Sequence, residues 1–183
     1  MFIRNVLLFV SVFFFMASST LEVKSKKREL EFTFHVNNKI GIQPSYQMAI
    51  WLEKPDGTYI KTLYISDYVS FGGFNHKEIC PEWNIKSNWA QVSSDVVDAV
   101  TGATPMTGDL TLSFKCQKKQ IPPGPYKYFI EVHLLEDYNE LYSGEILIGK
   151  EDTESTPEVK YIPKKHSKAG DILSDIIVMC KKK

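Results

Sequence analysis

The sequence predicts an all-β protein, an antiparallel β-sandwich with one long loop. Several segments alternate apolar and polar residues, as strands buried on one face do. Turn-forming Pro and Gly residues separate these segments, and no stretch has the pattern of an amphipathic helix of three turns. Apolar residues make up 43% and charged residues 24% of the 183 residues, which suits one folded domain with a real core.

The first three predicted strands are residues 29–36, 46–53 and 58–65. The "KPDG" sequence at 54–57 combines a φ-fixing proline with a glycine that tolerates positive φ, so the second and third strands should form a hairpin. The apolar phase of the first two strands predicts their core-facing residues: Leu30, Phe32, Phe34, Val36, Tyr46, Met48, Ile50 and Leu52.

Four more strands are predicted at 110–116, 126–136, 140–149 and 171–180. "QIPPGPY" forms the turn before 126–136, and a short extended piece is expected at 159–163 within the polar stretch 151–168. In 126–136 the predicted core-facing residues are Tyr126, Tyr128, Ile130, Val132 and Leu134.

Residues 66–107 form the long loop, because no strand period is clear there and only 82–92 suggests a helical turn or two. Loops of this length in compact domains are usually functional or disordered. This one contains aromatic residues, so it should pack against the sandwich: Tyr68, Phe71, Phe74, Trp83 and Trp89.

The N-terminus has the pattern of a signal peptide. Arg4 precedes an apolar run over 6–16, and the small residues Ala17 and Ser19 then precede the expected cleavage after Ser19. The run is about half of the roughly 20 residues that span a bilayer; an uncleaved N-terminal anchor is the alternative. The chain is therefore divided into a signal peptide (1–19), a solvated basic leader (20–28) and a sandwich domain (29–183), and it should be exported to the periplasm or another extracytoplasmic space.

Charge and cysteine content narrow the function classes. The chain has 22 Lys+Arg and 22 Asp+Glu, so no basic excess indicates a nucleic-acid partner. Three cysteines leave at least one thiol unpaired, and a Cys80–Cys116 bridge stays open. No cysteine or histidine spacing indicates a metal site, and His35 and His133 fall on the polar phase of their strands, so their imidazoles should face solvent.

The stretch "DAVTGAT", Asp98 to Thr104, has two interpretations. It can be an ordinary turn into the strand at 110–116, with Gly102 supplying backbone freedom and Thr101 and Thr104 bonding locally. It can also be a peptide shaped for a covalent attachment.

The second interpretation comes from a resemblance. Asp98, Thr101, Gly102, Ala103 and Thr104 are similar to the covalent flavinylation signature of exported flavoproteins, in which an FMN transferase joins FMN to the final hydroxyl through a phosphoester. The resemblance implies that Thr104 is the acceptor and that the transferase reads the Asp98 carboxylate. Small residues at 102 and 103 permit close backbone approach, so an attachment peptide should leave both free of overlying side chains, and Pro105 favours an extended Thr104.

A wider resemblance covers residues 29–180. "YQMAIWLEKPDGTYIKTLYI", "DAVTGAT" and "IPPGPYKYFIEV", in this order, resemble the predicted periplasmic proteins of domain-of-unknown-function family 2271. The resemblance implies an immunoglobulin-like sandwich and an association with FMN transferases and PepSY-type membrane redox proteins. The chain departs from the family in lacking a Trp-Asp-Gly turn before "IPPGPY".

Two functions follow as hypotheses. The first is an exported bacterial electron-transfer component that carries FMN on Thr104, with the loop aromatics Phe71, Phe74, Trp83 and Trp89 either shielding the flavin or simply packing the loop. The second is a non-catalytic periplasmic binding or assembly module. A hydrolase is disfavoured because no Gly-x-Ser-x-Gly elbow is present.

Overall fold

The computed structural model describes residues 27–38, 46–165 and 171–183. Strands in these ranges are β1 (Arg28–Val36), β2 (Gln47–Glu53), β3 (Tyr59–Ser66), β4 (Thr101–Gly102), β5 (Gly108–Cys116), β6 (Gly124–Leu135), β7 (Tyr138–Ile148), β8 (Thr153–Ser155), β9 (Glu158–Ile162) and β10 (Leu173–Lys182). The helices there are α1 (Asp67–Ser70), α2 (Pro81–Ser87) and α3 (Ser94–Val100), with 3-10 turns at Gly73–Asn75 and Trp89–Gln91.

The strands form two sheets, so the predicted sandwich is confirmed. One sheet has the order β5-β1-β10-β8 and the other the order β4-β3-β2-β6-β7-β9. All seven predicted strands and the short extended piece are present, with bounds shifted by at most two residues. Pairing in the described ranges is antiparallel except between β3 and β4, which pair in parallel over two residues. The sandwich is therefore mixed at this edge rather than purely antiparallel.

The core lies between the sheets and is built from one face of each strand. The predicted inward residues of β1, β2 and β6 are all buried, including Leu30, Phe32, Ile50 and Ile130. Phe32 and Tyr128 meet edge to face across the sandwich, with ring centroids 5.8 Å apart. The period of two placed these residues correctly because alternate side chains of a strand point to opposite faces.

The segment between β3 and β4, residues 67–100, forms a third layer over the outer face of the six-stranded sheet, as its aromatic content predicts. Trp83 and Trp89 pack in a second apolar cluster against Trp51 and Ile65 of the sheet. β2 is consequently buried on both faces. The prediction that His133 faces solvent is wrong: its ring lies on the outer face of β6 and is buried beneath this layer.

Buried polar groups of the sheet hold the layer in place. The Glu131 carboxylate, on β6, accepts hydrogen bonds from the first backbone N–H groups of α2, those of Glu82 (3.2 Å) and Trp83 (2.8 Å). Asn139 of β7 accepts a bond from the Cys80 N–H (3.1 Å) and donates one to the Glu78 carbonyl (2.8 Å). The start of α2 is thus fixed to two neighbouring strands.

The predictions for the N-terminal residues concern a signal peptide and a basic leader. The predicted signal peptide, its cleavage position and residues 20–26 of the leader lie outside the described residues. Arg28, assigned above to a solvated leader, is the first residue of β1. Its side chain is about 10% exposed because it bonds Asp152 and neighbouring carbonyls at the end of the sandwich.

Candidate functional site

The "DAVTGAT" stretch joins the third layer to the edge of the six-stranded sheet. Asp98 lies in α3, which starts after an extended Ser93 and ends where Thr101 returns to extended geometry (φ −76°, ψ 133°). Thr101 and Gly102 are β4, paired with Ile65 and Ser66 of β3. The chain is then irregular until β5 begins at Gly108.

The side chain of Thr101 ties this segment to its neighbours. Its hydroxyl donates to the Val97 carbonyl (2.7 Å), which lies one turn back in α3. The same oxygen lies 2.7 Å from the Ser70 hydroxyl. Because the one hydroxyl hydrogen of Thr101 is used on Val97, Ser70 is the donor in the second bond. Trp89 in turn donates its indole N–H to the Ser70 carbonyl (3.1 Å), so Ser70 is itself fixed.

Gly102 is required by a close packing contact. A Cβ atom at this position would lie 2.6 Å from Cε2 of Tyr64. The Tyr64 hydroxyl donates to the Ala103 carbonyl, and burial raises the pKa of Tyr64 to about 12. An attachment peptide was expected to leave Gly102 free of overlying side chains, and that expectation is wrong because the Tyr64 ring covers it.

Thr104 and Asp98 are held differently. Thr104 is half-buried, Ala103 and Asp98 are exposed, and Pro105 is buried directly after them. Within the described ranges, neither the Thr104 hydroxyl nor the Asp98 carboxylate has a hydrogen-bond or ion-pair partner. The segment therefore has a fixed backbone and two polar side chains that the protein itself does not use.

Two large apolar side chains that are close in the chain to the turn or to its partner Ser70 are exposed. Phe71 follows Ser70 and is 65% exposed, and Met106 follows Pro105 and is 82% exposed. Trp83 and Trp89 are buried and bond to Thr62 and Ser70, so their role is to pack the layer. Of the four aromatics considered for shielding a flavin, Phe71 is exposed and Phe74 is half-buried against the second cluster.

Sequence reasoning did not identify the residues that support the motif. Ser70 and Tyr64 lie 31 and 39 positions from their partners in the stretch. No local spacing indicates such contacts, because they arise only when β3 and α1 are placed beside β4.

A protein-family model described as "Predicted periplasmic protein (DUF2271)" matches residues 27–161. The chain belongs to the DUF2271 family. The match confirms the family resemblance and the periplasmic prediction, and it includes the whole motif. The family description names no ligand, partner or activity. No curated protein and no solved structure matched this DUF2271 chain.

Two further properties of this DUF2271 protein concern its helices and thiols. Among the described residues, no helix is both long enough and apolar enough to cross a membrane. All three cysteines are free thiols. Cys80 lies in the third layer, with its sulfur 3.7 Å from the Gln47 and Glu131 carbonyls, and Cys116 ends β5 of the other sheet. The bridge between these two residues that was left open above is not formed.

Proposed function

We propose that this periplasmic protein carries FMN covalently on the Thr104 hydroxyl and acts as an electron-transfer component. One observation supports the proposal most. Packing explains Thr101 and Gly102 as parts of a structural turn, whereas Asp98 and Thr104 have no internal role in the described residues. These two residues are the ones that the flavinylation resemblance assigns to transferase recognition and to attachment.

The residues present fit such a group. Attachment needs a hydroxyl that another enzyme can reach, and Thr104 is partly exposed between an exposed alanine and a buried proline. Thr104 would hold the phosphate end as an ester, and the exposed Phe71 and Met106 offer apolar surface nearby. A bound flavin supplies the electron-accepting and electron-donating chemistry, and the protein contributes position and surroundings.

The fixed backbone limits the side from which a transferase could contact the motif. Because Tyr64 covers Gly102, an enzyme would contact this segment from the side of Ala103 and Thr104. The exposed Asp98 carboxylate on α3 offers a charge for recognition. The expected partners are an FMN transferase and a membrane redox protein of the PepSY type.

The test is co-expression with an FMN transferase, followed by intact-mass measurement and visible absorption of the purified protein. We expect a mass increase of FMN less one water, and absorption in the blue. Thr104→Ala should abolish both because it removes the acceptor oxygen, and Thr104→Ser should retain labelling. Asp98→Ala should reduce labelling.

The matched control is Thr107→Ala, which removes an exposed threonine hydroxyl three residues away and should leave labelling unchanged. Covalent flavin on the T104A protein, or absence of label on the wild type in the presence of an active transferase, would contradict the proposal. The stretch would then be a structural turn, with the roles that Thr101 and Gly102 already have.

A further inference from the structure

A large cleft lies at the end of the sandwich remote from Thr104. It has a volume of about 1040 Å³ and lies where β1 begins and β5, β7 and β10 end. β5 runs nine residues from Gly108, near the motif, to Cys116 in the cleft. At about 3.3 Å per residue, roughly 30 Å separates the two places. The cleft is therefore independent of the proposed flavin site.

The floor of the cleft is apolar. Ile121 and Ile148 are buried side chains that line it, together with Pro123 and Cys116. Ile121 is held inward by the turn between β5 and β6, where its N–H donates to the Gln117 carbonyl (2.7 Å) and Tyr126 donates to the Pro122 carbonyl (2.6 Å). The "QIPPGPY" sequence thus builds one wall of the cleft.

The rim is strongly basic although the whole chain is neutral. Five exposed lysines line it, and Glu151 is the acidic residue of the lining. In the described residues, none of the five ammonium groups lies within ion-pair distance of a carboxylate. The lysines are Lys27, Lys115, Lys118, Lys150 and Lys182. An excess of like charges around a low-dielectric cleft creates a field that attracts anions.

Arg28 adds a cation that is almost fully buried. Its Nη1 bonds Asp152 (2.7 Å) and the Lys150 carbonyl (3.3 Å), and its Nη2 bonds the carbonyls of Glu151 and Cys180. Its Nε is buried and has no partner in the described part of the chain. The four acceptors of its Nη groups hold the guanidinium in place at this end of the sandwich.

We propose that this cleft binds a small anionic amphiphile, a molecule with a carboxylate or phosphate head and one apolar chain. The head lies among the rim lysines and Arg28, and the chain lies along Ile121 and Ile148. The volume is at the upper end of the roughly 300–1000 Å³ typical of small-molecule sites, which combine apolar walls with a few polar groups. An inorganic anion alone would leave the apolar floor uncovered, and a flat bilayer surface would leave the cleft unfilled. The binding-module hypothesis thereby gains a ligand class.

The test uses the chain from Thr20, the start expected after signal-peptide cleavage, and the fluorescence of a dansyl-labelled undecanoate, which rises when the dye leaves water. We expect the probe to bind and dodecanoate to displace it, whereas inorganic phosphate and the uncharged dodecyl maltoside should displace it poorly. Lys115→Glu with Lys118→Glu should weaken binding by about tenfold or more, equivalent to about 1.4 kcal/mol. Both side chains are exposed, so the fold should be unchanged by circular dichroism.

The matched control is Lys77→Glu with Lys164→Glu, which makes the same change in net charge at exposed positions outside the cleft and should leave affinity unchanged. Equal displacement by dodecyl maltoside, or equal loss of affinity in both double variants, would overturn the charge argument. Absence of probe binding, or binding only to vesicles of anionic lipid, would overturn the cleft as a site for a free amphiphile.

Discussion

Substitution of Glu131 by glutamine should change how the stability of the protein depends on pH. The carboxylate is fully buried between β6 and α2, and burial raises its pKa from about 4.5 to about 7. The backbone N–H groups of Trp83 and Glu82 oppose the increase by stabilising the anion. Glu82 and Lys160 have opposite effects on this pKa and pair with each other at 2.8 Å, so their effects partly cancel.

The direction of the change in stability with pH follows from the protonation of Glu131 in the folded and unfolded states. The folded state keeps a proton on Glu131 up to about pH 7, whereas the unfolded state loses it near 4.5. Stability from this group is therefore complete below pH 4.5 and is lost as the pH rises through 7. The two pKa values differ by about 2.5, which at roughly 1.36 kcal/mol per pH unit corresponds to about 3 kcal/mol. The amide introduced by Glu131→Gln does not titrate, so this loss should be absent in the variant.

The assay is urea unfolding followed by tryptophan fluorescence at several pH values between about 5 and 8.5. Over this interval the free energy of unfolding of Glu131→Gln, relative to wild type, should increase by about 2 to 3 kcal/mol. Glu145→Gln is the control, because it removes an exposed carboxylate from the adjacent strand β7. Parallel curves for wild type and E131Q would refute the assignment of a raised pKa to this carboxyl.

Two more predictions concern packing. Gly102→Ala should destabilise the protein by about 1–3 kcal/mol, because the new Cβ overlaps the Tyr64 ring; calorimetry should show this cost largely removed when Tyr64 is also changed to alanine. Ile130→Ala, at a fully buried core position of β6, should cost about 2–5 kcal/mol in denaturant unfolding. The matched change Ile85→Ala, at an 80% exposed position, should stay within about 0.5 kcal/mol of wild type, and equal costs at the two positions would contradict the core assignment.

The inner faces of the sandwich were predictable from the sequence. In β1 and β6, alternation marked Phe32 and Ile130 as core residues, and both are fully buried. This worked because the geometry of a strand sets the face of every side chain once one face is known to be apolar. β4 and β8 are only two and three residues long, too short to show a period.

Burial of the outer face was not predictable in the same way. Glu131 and His133 occupy polar positions of an alternating strand, which predicts solvent contact, yet both are buried beneath the layer formed by residues 67–100. Aromatic content indicated that this segment packs somewhere. Which strands the segment covers is set by its path through space, and a periodic pattern in the sequence does not specify that path.

The two candidate sites also differ in how far the sequence alone could reveal them. The motif was visible because its seven residues are consecutive in the sequence. The Tyr64 contact with Gly102, and the convergence of Lys27, Lys115 and Lys182 on one cleft, were not visible. The lysines are far apart in the chain and meet because antiparallel strands bring their ends to a common edge. Tyr64 meets Gly102 because β3 and β4 pair in parallel. Only the tertiary structure decides which ends share that edge.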